Sequence, residues 1–450
     1  MRKALLAAAV AVAAVAGVIV AVVVSSGGGK EAAPSPSSSG PPGSATAPTT
    51  TSSTTTATAT TAQRTTTSPT APVDTRTVRL PPPPGPRSPK RRTLIVGTVD
   101  DALLQQDPGL ARAKTGVVRA AGFDAAIVSA LWTPGARRPS GSLVRMLANA
   151  ADAARRDHLH LYVLVWHGFA RSTPATPSAR ADFAAFCAAV VKALPSVRDV
   201  IVGNEPNLDT FWKPQFGGGG RDVAAIGYED LLARSYDAIK AAASGVRVLG
   251  GTLSPRGADR PHGARLTHSP TAFIRDLGAA YRASGRDRPL MDAFAFHPYM
   301  QASRVPPTVA HPNNTSITIA DYPKLVALLN EAFHGSDQRG ATLPILYTEF
   351  GVQTFVPPAK RSFYTDTSSP ERPDSVGFAR QVAYYRQALA LAFCQPTVRG
   401  IFIFHTFDEP DYAGWQSGLY FADGTPKPSL PGFRRAVADL RAGKLTTCSR

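Results

Sequence analysis

The feature that most constrains this chain is an alternation, from Thr93 onward, of short apolar segments with longer segments of helical pattern. Several short segments are unbroken runs of Val, Ile and Leu, which is typical of strands covered on both faces. Eight strands are predicted, at residues 93–98, 125–131, 159–165, 199–202, 247–251, 293–296, 345–347 and 400–404. Because helical segments lie between most of them, the pattern favours an α/β (β/α)8 TIM barrel over an open doubly wound sheet.

The residues before this alternation have another character. Arg2 and Lys3 precede an apolar run at residues 4–24, which is long enough to span a bilayer as a helix. It is also longer than the apolar part of most cleaved signal peptides, and the charges ahead of it favour an exported remainder. We therefore expect residues 1–24 to be a signal-anchor helix, with a cleaved signal peptide as the alternative. Either way, the rest of the chain is extracytoplasmic, membrane-anchored or secreted.

A second segment, residues 25–92, is rich in Ser, Thr, Ala and Pro and almost free of aromatic residues. Such a composition cannot bury enough apolar surface to offset the entropy of the chain, so a disordered linker is predicted. Residues 93–450 then form one domain of about 358 residues, an ordinary size for a barrel with insertions.

Charge and cysteine content exclude several classes of function. The net charge is +17, but no basic block interleaved with aromatic residues lies within the domain, so we expect no nucleic acid partner. The His and Cys spacings fit no zinc motif, and we expect no metal, no cofactor and a monomer. Cys187 is expected in the core. A Cys394–Cys448 disulfide that clamps the C-terminal tail is expected, because an exported domain meets an oxidising compartment.

Two glutamates follow predicted strands. Glu205 stands in an Asn-Glu-Pro segment after strand four, and Glu349 in a Thr-Glu-Phe-Gly segment after strand seven. The carboxyl ends of barrel strands meet at the face where active sites lie, so both side chains should reach one cleft. Glycosidic cleavage needs such a pair: one protonated carboxyl for the leaving oxygen and one carboxylate that attacks the anomeric carbon.

These two segments, in this order, resemble the glycoside hydrolases of clan A, nearest to families 5 and 39. The resemblance extends over the domain from about residue 93 and implies a catalytic domain at residues 93–450. It implies that Glu205 is the acid/base, that Glu349 is the nucleophile and that Asn204 binds the 2-hydroxyl of the sugar.

The segment after strand six resembles the His-x-Tyr segment of the clan. By that resemblance, Tyr299 donates to the nucleophile, and His297 contacts the substrate or the acid/base. His167, after strand three, occupies a place where family 5 enzymes often carry a substrate-contacting histidine. Both histidines have a core role as their alternative. The clan's aromatic residue at the end of strand eight and its arginine near strand two have no counterpart in the sequence.

Tryptophans give independent support for a sugar ligand. All four fall at or just beyond predicted strand ends, where an aromatic face can cover the apolar face of a sugar. Although tryptophan is more often a core residue, we expect at least two of these to line the cleft: Trp132, Trp166, Trp212 and Trp415.

The sequence thus predicts a retaining glycoside hydrolase that cleaves O-glycosidic bonds of an extracellular or cell-wall polysaccharide by double displacement. The alternative is a catalytically silent carbohydrate-binding surface protein that uses the same cleft. A wall-attached structural module is a third hypothesis, supported only by the linker. No motif specifies the sugar or the linkage.

Overall fold

Apolar β-branched residues form the strands of a closed parallel barrel in the computed structural model, which describes residues 93–445 and 448. Eight strands pair in sequential order, and β8 closes the barrel against β1. Their bounds are β1 (Ile95–Val99), β2 (Ala125–Leu131), β3 (His160–Trp166), β4 (Asp199–Val202), β5 (Arg247–Leu253), β6 (Ala293–Phe296), β7 (Ile345–Phe350) and β8 (Val398–Phe404). The predicted (β/α)8 barrel is confirmed, and three predicted strands match these bounds at both ends.

Helices connect the strands and cover the outside of the barrel. They are α1 (Pro108–Ala121), α2 (Gly141–Arg156), α3 (Pro177–Ala193), α4 (Val223–Ala242), α5 (Pro270–Ala283), α6 (Tyr322–Phe333), α7 (Phe378–Cys394) and α8 (Leu430–Arg441). Several begin at a short polar side chain that accepts a hydrogen bond from the first turn, as Asp222 does at α4 and Ser269 at α5. Such caps satisfy backbone donors that the helix cannot.

The apolar core has two layers. One lies between the strands and the helices and contains the outward-facing strand residues, such as Val163 and Val165. The other fills the barrel, where Ile127, Leu164 and Phe402 point inward. This inner layer closes the barrel beneath its carboxyl end, so the strand-end side chains stand above a packed floor.

The C-terminal tail is bonded to the barrel. Cys394, the last residue of α7, forms a disulfide with Cys448, the pairing expected from the sequence. Cys187 is a free thiol buried in the outer core, also as expected.

Two predictions concern the N-terminal segments of the chain. The signal-anchor at residues 1–24 and the linker at residues 25–92 lie outside the described residues. Within the described part, no helix combines the length and apolar character needed to cross a membrane.

Candidate active site

Glu205 is positioned by a tight turn after β4. Gly203 has φ +82°, and a Cβ there would approach the Tyr228 ring to 2.8 Å, so the position requires glycine. Tyr228 secures the turn, since its hydroxyl donates to the Val202 carbonyl at 2.8 Å and accepts from the Gly251 amide at 2.9 Å.

The backbone of Glu205 is itself unusual. Its φ is +38°, a conformation that costs free energy in a non-glycine residue. The Glu205 amide donates to the Thr252 carbonyl at 2.9 Å, which helps to hold this conformation. Backbone strain of this kind is concentrated at functional sites. The side chain that it directs is 8% exposed and lines the cleft at the barrel mouth.

Glu349, near the end of β7, enters the same cleft. The Tyr299 hydroxyl donates to its Oε2 at 3.0 Å. The Nδ1 atom of His297 lies 3.1 Å from Glu205 Oε1 and 3.5 Å from Glu349 Oε2, so one imidazole nitrogen contacts both carboxyls. The fold therefore brings together four of the predicted site residues: Glu205, Glu349, His297 and Tyr299.

The charges of this cluster depend on one another. Burial alone lowers the pKa of His297, but the negative charges of Glu349 and Glu205 outweigh it, and the net shift is upward. Burial raises the pKa of Glu349, and the neighbouring Glu205 adds to that rise. The charge of His297 and the hydroxyl of Tyr299 oppose it. The arrangement therefore supplies Glu349 with partners that favour its ionised form.

His405, directly after β8, is a site residue that the sequence analysis missed. Burial alone lowers its pKa, but hydrogen bonding to Glu409 and the charges of Glu409 and Asp100 raise it to about 9. His405 is thus a cation at neutral pH, and its charge favours ionised Glu349. Its signal in the sequence was its place at the end of a barrel strand, four residues before an acidic side chain.

The cleft is open to solvent and is lined by both glutamates, by aromatic rings and by polar loop residues. Trp415 forms one wall, with its ring 5.0 Å from that of Tyr299 and 5.7 Å from that of Phe404. Phe404, the last residue of β8, also lines the cleft, so an aromatic residue does stand at the end of strand eight, and the expectation that it has no counterpart there was wrong. A sugar ring could stack on Trp415.

Several buried polar atoms of the cleft have no hydrogen-bond partner within the described residues. They are Asn204 Oδ1, Asp374 Oδ1 and Trp415 Nε1. Buried polar groups are otherwise almost always paired, so these atoms are candidates for bonds to a hydroxyl-rich ligand. Asn204, which the resemblance names as sugar-binding, is thus among the residues that line the cleft. Asp374 was not predicted, because it lies in the long loop after β7.

The other predicted sugar-binding residues do not line the cleft. Trp132 and Trp212 are only 1% and 3% exposed, and both belong to the outer core. His167 packs against Trp212, its ring centroid 5.5 Å away, and burial lowers its pKa to about 4. Trp166 points into the barrel and packs beneath Phe211, which does line the cleft. The expectation of at least two cleft tryptophans was wrong, since only Trp415 is among the lining residues.

The side-chain alternation of a strand could have separated these tryptophans. Leu131, the last residue of β2, packs with the inner layer, so Trp132 after it faces the helices. Trp166 follows Tyr162 and Leu164 on the inward side of β3. Successive side chains point to opposite faces, and position near a strand end alone does not choose between them.

Arg256, after β5, places a cation in the cleft, although the sequence has no counterpart to the arginine that the clan carries near strand two. Its Nη1 donates to the Met300 carbonyl at 3.0 Å. Burial lowers its pKa, and the charges of Glu205 and Asp374 act in the opposite direction.

The described residues contain one group of His and acidic side chains whose ligand atoms are close enough to hold a cation. It consists of Asp222, His268 and Asp276 and lies apart from the residues that line the cleft.

Comparison with solved structures identifies the fold. A family 39 glycoside hydrolase from the gut symbiont Bacteroides cellulosilyticus WH2 matches 78% of this chain with a TM-score of 0.55 and 19% identity. The match spans 64% of that longer chain. GH5_18 from Streptomyces cattleya, in complex with Manβ1-4GlcNAc, matches 78% of this chain and 81% of its own, with a TM-score of 0.53 and 18% identity.

A second GH5_18 structure, with GlcNAc, gives a TM-score of 0.51 at 19% identity over 80% of this chain and 82% of its own. No protein-family model and no curated protein matches the sequence. The barrel is therefore the fold found in family 39 and family 5 glycoside hydrolases, as the resemblance implied.

Proposed function

We propose that this protein is a retaining glycoside hydrolase with Glu349 as nucleophile and Glu205 as acid/base. The observation that carries the proposal is the contact of His297 Nδ1 with both carboxyls, at 3.1 Å and 3.5 Å. The nearest carboxyl oxygens are thus at most about 6.6 Å apart, which is compatible with the spacing of about 5–5.5 Å between the carboxyl groups of retaining enzymes.

In the first step, Glu349 Oε2 attacks the anomeric carbon and forms a covalent glycosyl-enzyme. Glu205 gives its proton to the departing oxygen as the C–O bond breaks. Tyr299 donates to Glu349 Oε2 at 3.0 Å and so orients the attacking carboxylate. The free Oδ1 of Asn204 accepts from the 2-hydroxyl, a contact that strengthens in the transition state.

In the second step, Glu205 is a carboxylate and acts as a base. It removes a proton from water, whose oxygen attacks the anomeric carbon and releases Glu349. The product regains the starting configuration because the carbon has been inverted twice. His297 contacts both carboxyls, so its positive charge can stabilise whichever of them is ionised in each step.

The substrate is proposed to be an oligosaccharide or polysaccharide outside the cytoplasm. An open cleft with an aromatic wall and unpartnered polar atoms suits a chain of hydroxylated rings. The apolar run at residues 4–24 supports export, with membrane anchoring or secretion both proposed, and we propose a monomer.

The test is hydrolysis of a polysaccharide panel that includes β-glucan, mannan, xylan and Manβ1-4GlcNAc oligosaccharides. Products are followed by chromatography, and the first-formed anomer by proton NMR. We expect retention, and a loss of at least about 10³-fold in kcat for Glu349→Ala. Glu331→Gln is the matched control, because Glu331 is paired with Arg275 on the outside of the barrel.

Three outcomes would contradict the proposal in different ways. Turnover that survives Glu349→Ala would reject the assigned nucleophile. An inverted first product would reject double displacement. Glycan binding without turnover of any substrate would favour the carbohydrate-binding alternative.

A further inference from the structure

Three potential metal ligands converge beside the loop that follows β5. Asp222 caps α4, His268 immediately precedes the Ser269 cap of α5, and Asp276 lies within α5. One ligand atom from each residue lies within 4.8 Å of the others. Three separate elements thus direct nitrogen and oxygen ligands at one point.

Asp222 provides an atom that the protein leaves without a hydrogen bond. Its Oδ1 accepts from the Ala225 amide at 2.8 Å, as a helix cap does. Its Oδ2 is buried and has no hydrogen-bond partner within the described residues, and the residue is only 7% exposed. This oxygen faces His268, with Nδ1 at 3.3 Å. Leaving a buried carboxylate oxygen unpaired is costly, so a missing partner is indicated.

The orientation of His268 explains what kind of partner is missing. Its Nε2 lies 3.1 Å from the Gln215 carbonyl oxygen, which can only accept, so Nε2 carries the ring proton. In the neutral ring, Nδ1 then presents a lone pair to Asp222 Oδ2, so an ionised Asp222 places two acceptors face to face. A cation between them removes this conflict. Metal-binding histidines characteristically donate their other ring nitrogen to a carbonyl or carboxylate in this manner.

We propose that Asp222, His268 and Asp276 bind one zinc ion. Zinc accepts nitrogen and carboxylate ligands at about 2.0–2.2 Å in a tetrahedron, whose edges are then about 3.3–3.6 Å. The 3.3 Å between His268 Nδ1 and Asp222 Oδ2 matches such an edge. Calcium prefers six or more oxygen ligands, and magnesium an oxygen octahedron, so a histidine-containing set of three fits zinc better. A water molecule would complete the tetrahedron.

The site would brace one wall of the cleft. The His268 amide donates to the Asn207 carbonyl at 2.9 Å, and Asn207 Nδ2 donates to the His268 carbonyl at 3.0 Å. Asn207 lies two residues after Glu205, and its Oδ1 accepts from the Ser254 amide at 2.9 Å. Bound zinc would therefore tie the Glu205 segment and the β5 loop to α4 and α5. Its role is structural, and it rests on the fold whether or not the glycosidase proposal holds.

The first test uses the unmodified protein. The metal content of protein purified without chelator is measured by mass spectrometry. Chelator-treated protein is then titrated with zinc, calcium or magnesium by calorimetry and thermal melting. We expect about one zinc per chain and a rise in Tm of at least about 2 °C with zinc alone. No bound zinc together with an unchanged Tm would overturn the proposal, and a response to calcium instead would overturn the choice of ion.

Two variants locate the ion. Asp276→Asn and His268→Gln each remove one ligand, and we expect each to weaken zinc binding by at least about 10-fold while the barrel's circular dichroism is kept. The matched control is His160→Gln, since His160 also contacts an aspartate, Asp199, at 2.6 Å but has no third ligand. Undiminished zinc binding in both ligand variants would overturn the assignment. The titration of the wild-type protein needs no variant. It therefore still tests the proposal if a variant fails to fold.

Discussion

At the scale of single residues, the two glutamates of the cleft differ through their partners. Glu349 is contacted by the Tyr299 hydroxyl and lies within the fields of His297 and His405. Of these three groups, only His297 contacts Glu205. The backbone of Glu205 is itself strained, with a positive φ. Chemically identical side chains can serve as nucleophile and acid when their surroundings favour opposite protonation states. Burial and the charge of Glu205 still leave the pKa of Glu349 above its usual value, but His297, Tyr299 and His405 oppose that rise, as the role of nucleophile requires.

Removal of the Tyr299 hydroxyl should move the acid limb of the pH–rate profile. The hydrogen bond lowers the pKa of Glu349, so in Tyr299→Phe that pKa rises further above its usual value. The nucleophile is then ionised only at higher pH, and the acid limb of kcat/KM should move up by about one unit. Tyr384→Phe is the control, since Tyr384 donates to the Arg304 carbonyl outside this cluster. An unmoved acid limb would show that Glu349 does not set it.

His405 should make stability depend on pH. Its pKa of about 9 in the folded protein exceeds the usual value of 6.5, so folding favours the charged form. That contribution is complete below about pH 6.5 and is lost as the pH rises through 9, and it amounts to about 3 kcal/mol. In urea unfolding, the stability difference between wild type and His405→Gln should shrink by about this amount from pH 6 to pH 10. A constant difference would contradict the raised pKa.

At the scale of elements, the loop between β8 and α8 brings Trp415 to the cleft. Its anchor is Lys427, whose Nζ contacts Asp408 Oδ1 at 2.6 Å and donates to Thr354 Oγ1 and the Gln416 carbonyl. The side chains of Lys427 and Asp408 are both 0% exposed. The loop thus contains a buried ion pair beside Gln416, the residue that follows Trp415.

Lys427→Met should therefore affect both stability and substrate binding. It leaves Asp408 buried without its cation, and the free energy of unfolding should fall by about 3–5 kcal/mol. KM should also rise, because Trp415 loses its support. The control is Lys360→Met, which breaks a pair with Asp423 of similar length, 2.7 Å, at a more exposed position and should cost about 1 kcal/mol or less. Equal losses in the two variants would contradict a special role for the buried pair.

The fold was more predictable than the details of the site. Buried strands are continuous apolar runs, so their order and most of their bounds could be predicted. The glutamates follow from strand order alone, since barrel strands end on one face. Trp415, Asp374 and Arg256 come from loops whose path depends on tertiary contacts. Trp132 and Trp212 were misassigned because a place near a strand end does not determine which way the side chain points.

At the scale of the whole molecule, strand pairing and a disulfide both hold the C-terminal part of the chain to the barrel. Backbone pairing of β1 with β8 closes the sheet. The Cys394–Cys448 disulfide then encloses β8, the Trp415 loop and α8 in one covalent ring with a sequence separation of 54 residues. A crosslink of this span restricts the unfolded chain far more than the folded one. It also fits a protein that works in an oxidising compartment.

Loss of this disulfide should lower the stability of the entire barrel. For a closed loop of this length, chain entropy predicts about 4 kcal/mol. Cys448→Ser should therefore unfold at lower urea concentration than the wild type, and reductant should bring the wild type down to the level of the variant. Cys448→Ser itself should not respond to reductant, because neither of its two remaining cysteines, the buried Cys187 and the now unpaired Cys394, has a disulfide to lose. If wild type and variant unfold together without reductant, the tail crosslink adds no stability, and β1–β8 pairing with helix packing suffices to close the barrel.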